Sequence, residues 1–310
     1  MFARVLVPLD FSPPSDAALA YARTVAAAFG SALHLLHVVE RNLLLPIAHD
    51  AQTVDAAAML RIRNRLVEED YRRFHVFPAV ERSEKASEAI VAYARAQGID
   101  LIVMGTHGRT GIAHVLIGSV AEQVVRSAPC PVLTLPGPRS GPGKTGPGPA
   151  RILVPTDFSP PSEAALACAR VLASRFGASL QVLHVLNELA PGPLGAEVPA
   201  SDLPGIRGAL LSDARKRLGR QITGEDHARL GVTTEAVFGP AARTIVEYAA
   251  DNQSDLIVMG THGRTGMAHL LIGSVAEAVV RTASCPVVST HAFRAGAWVG
   301  KRDRSDRCAG

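Results

Sequence analysis

The stretch MGTHGRTGIAHVLIGS, residues 104 to 119, follows an apolar run and leads into a segment of helical character. It returns as MGTHGRTGMAHLLIGS at residues 259 to 274, changed only from Ile112 to Met267 and from Val115 to Leu270. Such a match means that one unit is built twice, and the chain agrees elsewhere. RVLVPLDFSPPSDAALAYAR at residues 4 to 23 is restated as RILVPTDFSPPSEAALACAR at residues 151 to 170, which marks where each copy begins.

Within each copy, short apolar runs alternate with longer segments of helical period. In the first, VLVPLD, ALHLLHVV, DLIVMG and PVLTL read as strands. Ser12 to Phe29, Asp55 to about His75, and about Ser119 to Ser127 read as helices. Ser12 before Pro13 fits an N-cap with proline at the first helical position, and Ser159 before Pro160 repeats it. VTTEAVFG at residues 232 to 239 is a further strand; its counterpart FPAVERSE, residues 77 to 84, is a weaker one and places Glu84 where the second copy has Gly239. The strands are apolar on both faces, as a parallel sheet covered by helices requires. The expected fold is α/β: two doubly wound, five-stranded parallel-sheet domains of Rossmann-like type.

Residues 136 to 150, PGPRSGPGKTGPGPA, contain ten Gly or Pro in fifteen and can form neither helix nor central strand. The expected domains are therefore residues 1–136 and 151–291, joined by a linker over 137–150 and followed by a basic, disordered tail over 292–310. Gly143-Lys144-Thr145 in the linker imitates the end of a phosphate-binding P-loop. Pro138 stands where that pattern needs glycine, and Pro147 and Pro149 forbid the helix that must follow.

With 310 residues, 47% of them hydrophobic and 19% charged, the chain has the composition of a globular protein able to bury two cores. The net charge of +4 resides in the linker, through Arg139 and Lys144, and in the tail, through Arg294, Lys301, Arg302, Arg304 and Arg307 against Asp303 and Asp306. The two halves are near neutral, so nucleic acid is not an expected partner. Cys130, Cys168, Cys285 and Cys308 show no metal or redox spacing, and Cys130 and Cys285 occupy equivalent places as small apolar residues. No run of 18 apolar residues occurs and Pro8 and Asp10 interrupt the start, so a cytoplasmic protein without membrane contact is expected.

The glycine loop is where chemistry is expected. In an open parallel sheet, ligands sit outside the carboxyl ends of the strands, and DLIVMG ends at that edge. Gly105, Gly108 and Gly118 permit positive φ and close backbone approach. Ser119-Val-Ala-Glu122 and Ser274-Val-Ala-Glu277 have capping-box spacing. A helix start with free N–H groups facing the loop suits phosphate, although Ser119 could also serve only as a cap. His107 and His262 lack a second ligand at useful spacing, so no protein-held metal is expected.

These residues resemble a tandem universal stress protein. ATP-binding members of that family carry G-x-x-G, nine residues, then G-S or G-T; Gly105, Gly108, Gly118-Ser119 and Gly260, Gly263, Gly273-Ser274 both match. The likeness spans nearly all of both halves, including a first strand ending in Pro-x-Asp and a second ending in His-Val. It implies an adenine nucleotide alpha hydrolase-like fold and ATP as ligand, with any Mg²⁺ or Mn²⁺ carried by the phosphates. It further implies that Asp10 and Asp157 lie near the adenine and that the backbone of Val38 and Val185 holds the base edge, with Pro8, Pro155, Thr156, Met104 and Met259 around them. The glycines with Ser119, Val120, Ser274 and Val275 would wrap the phosphates. Read without the family, Asp10 and Asp157 equally fit Asx turns before Ser12 and Ser159, Val38 and Val185 fit core positions, and Arg109 and Arg264 fit either phosphate contact or solvent.

Two departures separate the halves. The threonine common between proline and aspartate is kept as Thr156 but replaced by Leu9, and Gly239 is replaced by Glu84, whose carboxylate would repel phosphate. The second half is the better expected site. The expected function is an ATP-binding regulatory protein of stress response, with no catalytic residues and at most slow hydrolysis, because neither loop contains Asp or Glu between Gly105 and Ser119 or between Gly260 and Ser274. A slow nucleotide hydrolase or nucleotidyl transferase and a nucleotide-free scaffold are the alternatives. The resemblance implies that PVLTL and PVVST pair so that one chain imitates the family's dimer, and leaves room for a homodimer and for an unidentified protein partner.

Overall fold

The computed structural model describes residues 2–40, 51–106, 118–137, 148–187, 203–261 and 272–291. The linker's Gly143-Lys144-Thr145 and the tail lie outside them. The first half runs β1 (Arg4–Pro8), α1 (Pro13–Phe29), β2 (Ala32–Glu40), α2 (Ala51–Arg63), α3 (Glu68–Arg73), β3 (Val76–Ser83), α4 (Ala86–Ala96), β4 (Leu101–Gly105), α5 (Ser119–Ser127) and β5 (Val132–Leu135). The second repeats it as β6 (Arg151–Pro155), α6 (Pro160–Phe176), β7 (Ser179–Leu186), α7 (Leu203–Gln221), α8 (Gly224–Leu230), β8 (Thr233–Phe238), α9 (Ala241–Asp251), β9 (Leu256–Gly260), α10 (Ser274–Thr282) and β10 (Val287–Thr290).

All ten strands form one sheet in the order β3-β2-β1-β4-β5-β10-β9-β6-β7-β8. Every pair is parallel except β5 with β10, where Thr134, Leu133 and Val132 face Val287, Val288 and Ser289 in antiparallel register. The last strands of the halves thus pair as the family resemblance implies, and Thr134 Oγ1 donates to the Val287 carbonyl across this seam at 3.2 Å. Helices α1 and α6 add to the joint: Phe29 and Phe176 meet edge to face at 6.0 Å, and the Arg175 guanidinium donates to the Ala28 carbonyl.

One layer of core lies beneath α1, α2, α6 and α7, with Val5, Leu19, Leu33, Val154, Leu166 and Leu218 among its members. The opposite layer, beneath α4, α5, α9 and α10, holds Leu6, Ile102, Val124, Ile245, Ile257 and Val279. Alternate residues of the same strand serve opposite layers, which is why the strands read as continuous apolar runs. Cys130 is buried and Cys285 half-buried against the second layer, and burial pushes both thiols up to about 12, so neither is a thiolate near neutrality.

Three sequence expectations need correction. The single helix expected from Asp55 to about His75 is two, α2 and α3. The break follows from Asp70, whose carboxylate accepts from the Val67 N–H at 2.9 Å and binds the Arg23 guanidinium through two contacts of 2.7 Å, so a new helix starts there. Strand β3 is the longer edge strand, eight residues against six for β8, and Pro78 is tolerated because an edge strand has one side without a ladder. Finally, Ser119 and Ser274 are the first helical residues; the caps are Gly118 and Gly273, with no side-chain cap. No described helix is long and apolar enough to cross a membrane.

Candidate functional site

The strand order within each half reverses between β1 and β4, and between β6 and β9. A crevice opens outside the carboxyl ends of such a pair, because the following connections leave in opposite directions. The turn after β1, the end of β4 and the start of α5 meet there, and the second half brings together the equivalent three.

The first wall is a tight turn. Asp10 Oδ1 accepts from the Ser12 N–H at 3.0 Å and the Ser12 hydroxyl at 2.6 Å, and Asp157 holds Ser159 the same way, its N–H at 3.1 Å. The Asx turns allowed by the sequence are therefore formed. Burial alone would raise the Asp157 carboxyl, but hydrogen bonds from Ser159 and Ser162 outweigh it and hold the group below the usual carboxylate range. Between aspartate and serine, Phe11 and Phe158 take left-handed backbone (φ 67° and 64°), a conformation costing roughly 1–2 kcal/mol for an L residue. Each ring packs on a histidine of the next strand, His37 at 4.4 Å and His184 at 4.5 Å. An arginine covers each as well, Arg61 at 3.9 Å and Arg217 at 4.0 Å.

Those histidines entered the sequence reading only as part of the His-Val strand ending, and their role in the site was missed. His37 Nδ1 lies 2.6 Å from the Leu9 carbonyl and His184 Nδ1 2.7 Å from the Thr156 carbonyl, both rings buried. A carbonyl only accepts, so Nδ1 carries the proton and donates. The signal available in the sequence was a histidine at the same place in both copies.

Thr156 does not offer its side chain to the crevice. Its hydroxyl is engaged with Ser162 Oγ at 3.1 Å, Gln221 Oε1 at 3.4 Å and the Phe158 N–H at 3.1 Å. Leu9, its counterpart, is buried in the core layer beneath α1. The difference between Leu9 and Thr156 therefore lies behind the turn and removes no ligand-facing group from the first half. Pro8 and Pro155 end their strands, and Met104 and Met259 are buried beneath the other layer.

Gly105 and Gly260 have a structural requirement that the loop reading did not foresee. A Cβ on Gly105 would stand 2.7 Å from Pro14 Cβ and 3.1 Å from its carbonyl carbon; on Gly260 it would stand 2.8 Å from the Pro161 carbonyl carbon. The start of the long helix packs onto the glycine, and backbone cannot yield as a side-chain tip can.

Past these glycines the loop stems close. The Gly118 N–H donates to the Thr106 carbonyl and the Gly273 N–H to the Thr261 carbonyl, both at 2.7 Å. Thr106 and Thr261 are tied in turn to the ends of the seam strands, through the Leu135 and Thr290 carbonyls. Gly108, Arg109, Gly263, Arg264, His107 and His262 lie outside the described residues. Where the chain resumes, α5 and α10 start with Ser119 and Ser274 exposed and Val120 and Val275 half-buried, and no side chain among the described residues caps their first N–H groups. No cluster of potential metal ligands occurs among the described residues.

Val38 and Val185 are half-buried near the ends of β2 and β7, the strands next to β1 and β6. At the end of the adjoining strand, Gly239 packs against Thr244, whose Oγ1 would lie 2.3 Å from an added Cβ. In the first half Glu84 has a Cβ at that position, and Ala89 replaces the threonine. The halves differ here by a matched pair rather than by one residue.

A tandem doubly wound α/β protein with a glycine-flanked crevice in each half is the class that this geometry defines. The sequence profile of the Universal stress protein family matches residues 1–136 and 149–291, and the chain belongs to that family. The universal stress protein Rv2005c of Mycobacterium tuberculosis is 30% identical over 305 residues, covering 92% of this chain and 95% of that protein. The universal stress protein MJ0531 of Methanocaldococcus jannaschii is 34% identical over 138 residues, covering 44% of this chain and 79% of that protein. Among solved structures, a functionally unknown protein of Pseudomonas aeruginosa PAO1 superposes with a TM-score of 0.65 at 20% identity, covering 94% of this chain and 92% of that one. A universal stress protein of Archaeoglobus fulgidus gives 0.60 at 19%, covering 93% and 96%. Both share the tandem fold.

Proposed function

We propose that this protein binds an adenine nucleotide, ATP, in the crevice of its second half and acts as a regulatory protein of stress response. The observation that carries the reading is the convergence, at one sheet edge, of a helix start with a glycine N-cap and a half-buried strand end. The start of α10 offers backbone N–H groups and the positive end of its dipole to phosphate. Val185 offers backbone to the base. Gly263, Arg264, Gly273, Ser274 and Val275 would surround the phosphates, with Asp157 near the adenine and ribose.

Asp157 has Oδ1 committed to Ser159, so the carboxylate is fixed in place rather than free to swing toward a proton or metal. That fixed geometry favours binding over turnover, and the protein is not expected to hydrolyse ATP rapidly. Any Mg²⁺ or Mn²⁺ would arrive with the phosphates. In the first half, Asp10, Val38, Gly108, Arg109, Gly118, Ser119 and Val120 would make the equivalent site. Glu84 distinguishes it and would disfavour a polyphosphate, so that half would bind more weakly or serve as scaffold. Equilibrium dialysis with ATP, using intact protein and the Gly273→Val and Gly118→Val variants, tests the assignment: Gly273→Val should lose most of the binding, Gly118→Val the smaller part. Equal binding by all three would refute it.

A further inference from the structure

We infer that His184, and His37 in the first half, are positioning residues that stop the parallel ladder one bond early and so release a backbone N–H and C=O pair to read the nucleobase; this rests on the nucleotide reading above. In a parallel sheet, residues of one strand turn their N–H and C=O alternately to the two neighbours. The Leu183 carbonyl accepts from the Thr156 N–H at 2.8 Å, so Leu183 faces β6; the Leu186 carbonyl accepts from Gly239 at 2.9 Å, so Leu186 faces β8. Val185 therefore faces the β6 side. Continued by one step, the ladder would place the Val185 N–H on the Thr156 carbonyl.

That bond is absent among the described residues, and the carbonyl is taken by His184 Nδ1 at 2.7 Å. The first half does the same independently: Leu9 N–H donates to Leu36 at 2.8 Å, the next bond would join Val38 to the Leu9 carbonyl, and His37 Nδ1 occupies that carbonyl at 2.6 Å. The imidazole satisfies a buried acceptor while leaving the valine's donor and acceptor side by side at the crevice. An adenine edge, with a ring nitrogen that accepts beside an amine that donates, is complementary to such a pair. Guanine presents the two roles in reversed order, so the same backbone pair disfavours it.

Amide exchange of intact protein selectively labelled with ¹⁵N-valine tests this directly. Without nucleotide, the Val185 amide should exchange at least about tenfold faster than that of Val182, which lies within the ladder, and saturating ATP should slow it by a similar factor. In His184→Leu the freed carbonyl should recruit Val185, so that its amide is protected without ATP and ATP affinity falls about tenfold. His184→Asn, which keeps a donor near the Nδ1 position, should stay within about threefold of wild type. The outcomes that overturn the inference are a Val185 amide already as protected as Val182 in the ligand-free wild type, or His184→Leu with unchanged exchange and affinity. The exchange contrast without ligand stands even if wild type binds no ATP, in which case the nucleotide reading alone fails. Should His184→Leu not fold, the wild-type exchange and the Asn variant decide.

Discussion

Arg170 and Asp226 meet through two parallel hydrogen bonds of 2.9 and 2.7 Å, and Arg23 and Asp70 repeat the arrangement in the other half. Each pair fastens the long helix after the first strand to the short helix before the outer strand. Each arginine also caps a backbone carbonyl, Gln221 or Arg65, at 2.8 Å. The fork geometry of arginine allows all three contacts at once, which lysine could not supply.

The pair predicts the acid limb of stability. The Arg170 hydrogen bond, against a smaller upward effect of burial, lowers the Asp226 carboxyl to about 2. The unfolded value is about 3.9, so the folded group binds its proton less readily and the pair's contribution is complete above that value. It is lost as pH falls through about 4 toward about 2. Asp226→Asn should lower stability by about 1–3 kcal/mol at neutral pH and flatten this part of the pH dependence. Urea denaturation of both proteins from pH 7 down to pH 2 provides the check; curves that remain parallel would contradict the assignment.

Gly260→Ala should destabilise the fold whether or not nucleotide is present. The new Cβ would press on the Pro161 carbonyl carbon at 2.8 Å, a backbone contact, and overpacking of this kind costs about 1–3 kcal/mol. The thermal midpoint without ligand is the measurement, and an unchanged midpoint would show that the helix start can retreat.

At Gly239 a different outcome is expected. Gly239→Ala should cost stability alone, because its Cβ meets Thr244 Oγ1 at 2.3 Å. Thr244→Ala in the same chain should recover most of the loss, reproducing the small partner that Ala89 supplies beside Glu84. A double-mutant cycle in chemical denaturation reads the coupling, and strictly additive effects would rule out the pairing.

Val288→Asp should weaken the joint between the halves more than either core. Val288 is buried opposite Leu133 at the centre of the antiparallel seam, and an unpaired carboxylate there would remain without a partner. Calorimetry should show one unfolding transition becoming two. A single transition with a small shift would mean that the α1 and α6 contacts suffice to hold the halves together.

Much of this was legible in the sequence. The duplication, the parallel sheet, the glycine-flanked crevice and the pairing of PVLTL with PVVST follow from repeated motifs, from two-faced apolar strands and from resemblance to the family. Less visible were features that depend on contacts distant in the chain. The break between α2 and α3 is set by Asp70 with Arg23, 47 positions away. The need for glycine at position 260 comes from a helix that begins 100 residues earlier, at Pro160. Thr156, read as part of the site, spends its hydroxyl on Ser162 and Gln221, and His184, read only as part of a motif, controls where the ladder ends. The serines expected to cap α5 and α10 sit one position inside them, behind Gly118 and Gly273.

Nucleotide content tests the proposed adenine nucleotide site of the second half most directly. Purified full-length protein should be denatured, any released nucleotide identified and counted per chain, and the refolded or stripped protein titrated with Mg-ATP. The expected result is adenine nucleotide, bound at up to one equivalent with high affinity and lost in Gly273→Val, whose ligand-free thermal midpoint stays close to wild type. No released nucleotide, together with no binding of Mg-ATP by the intact wild-type chain, would contradict it.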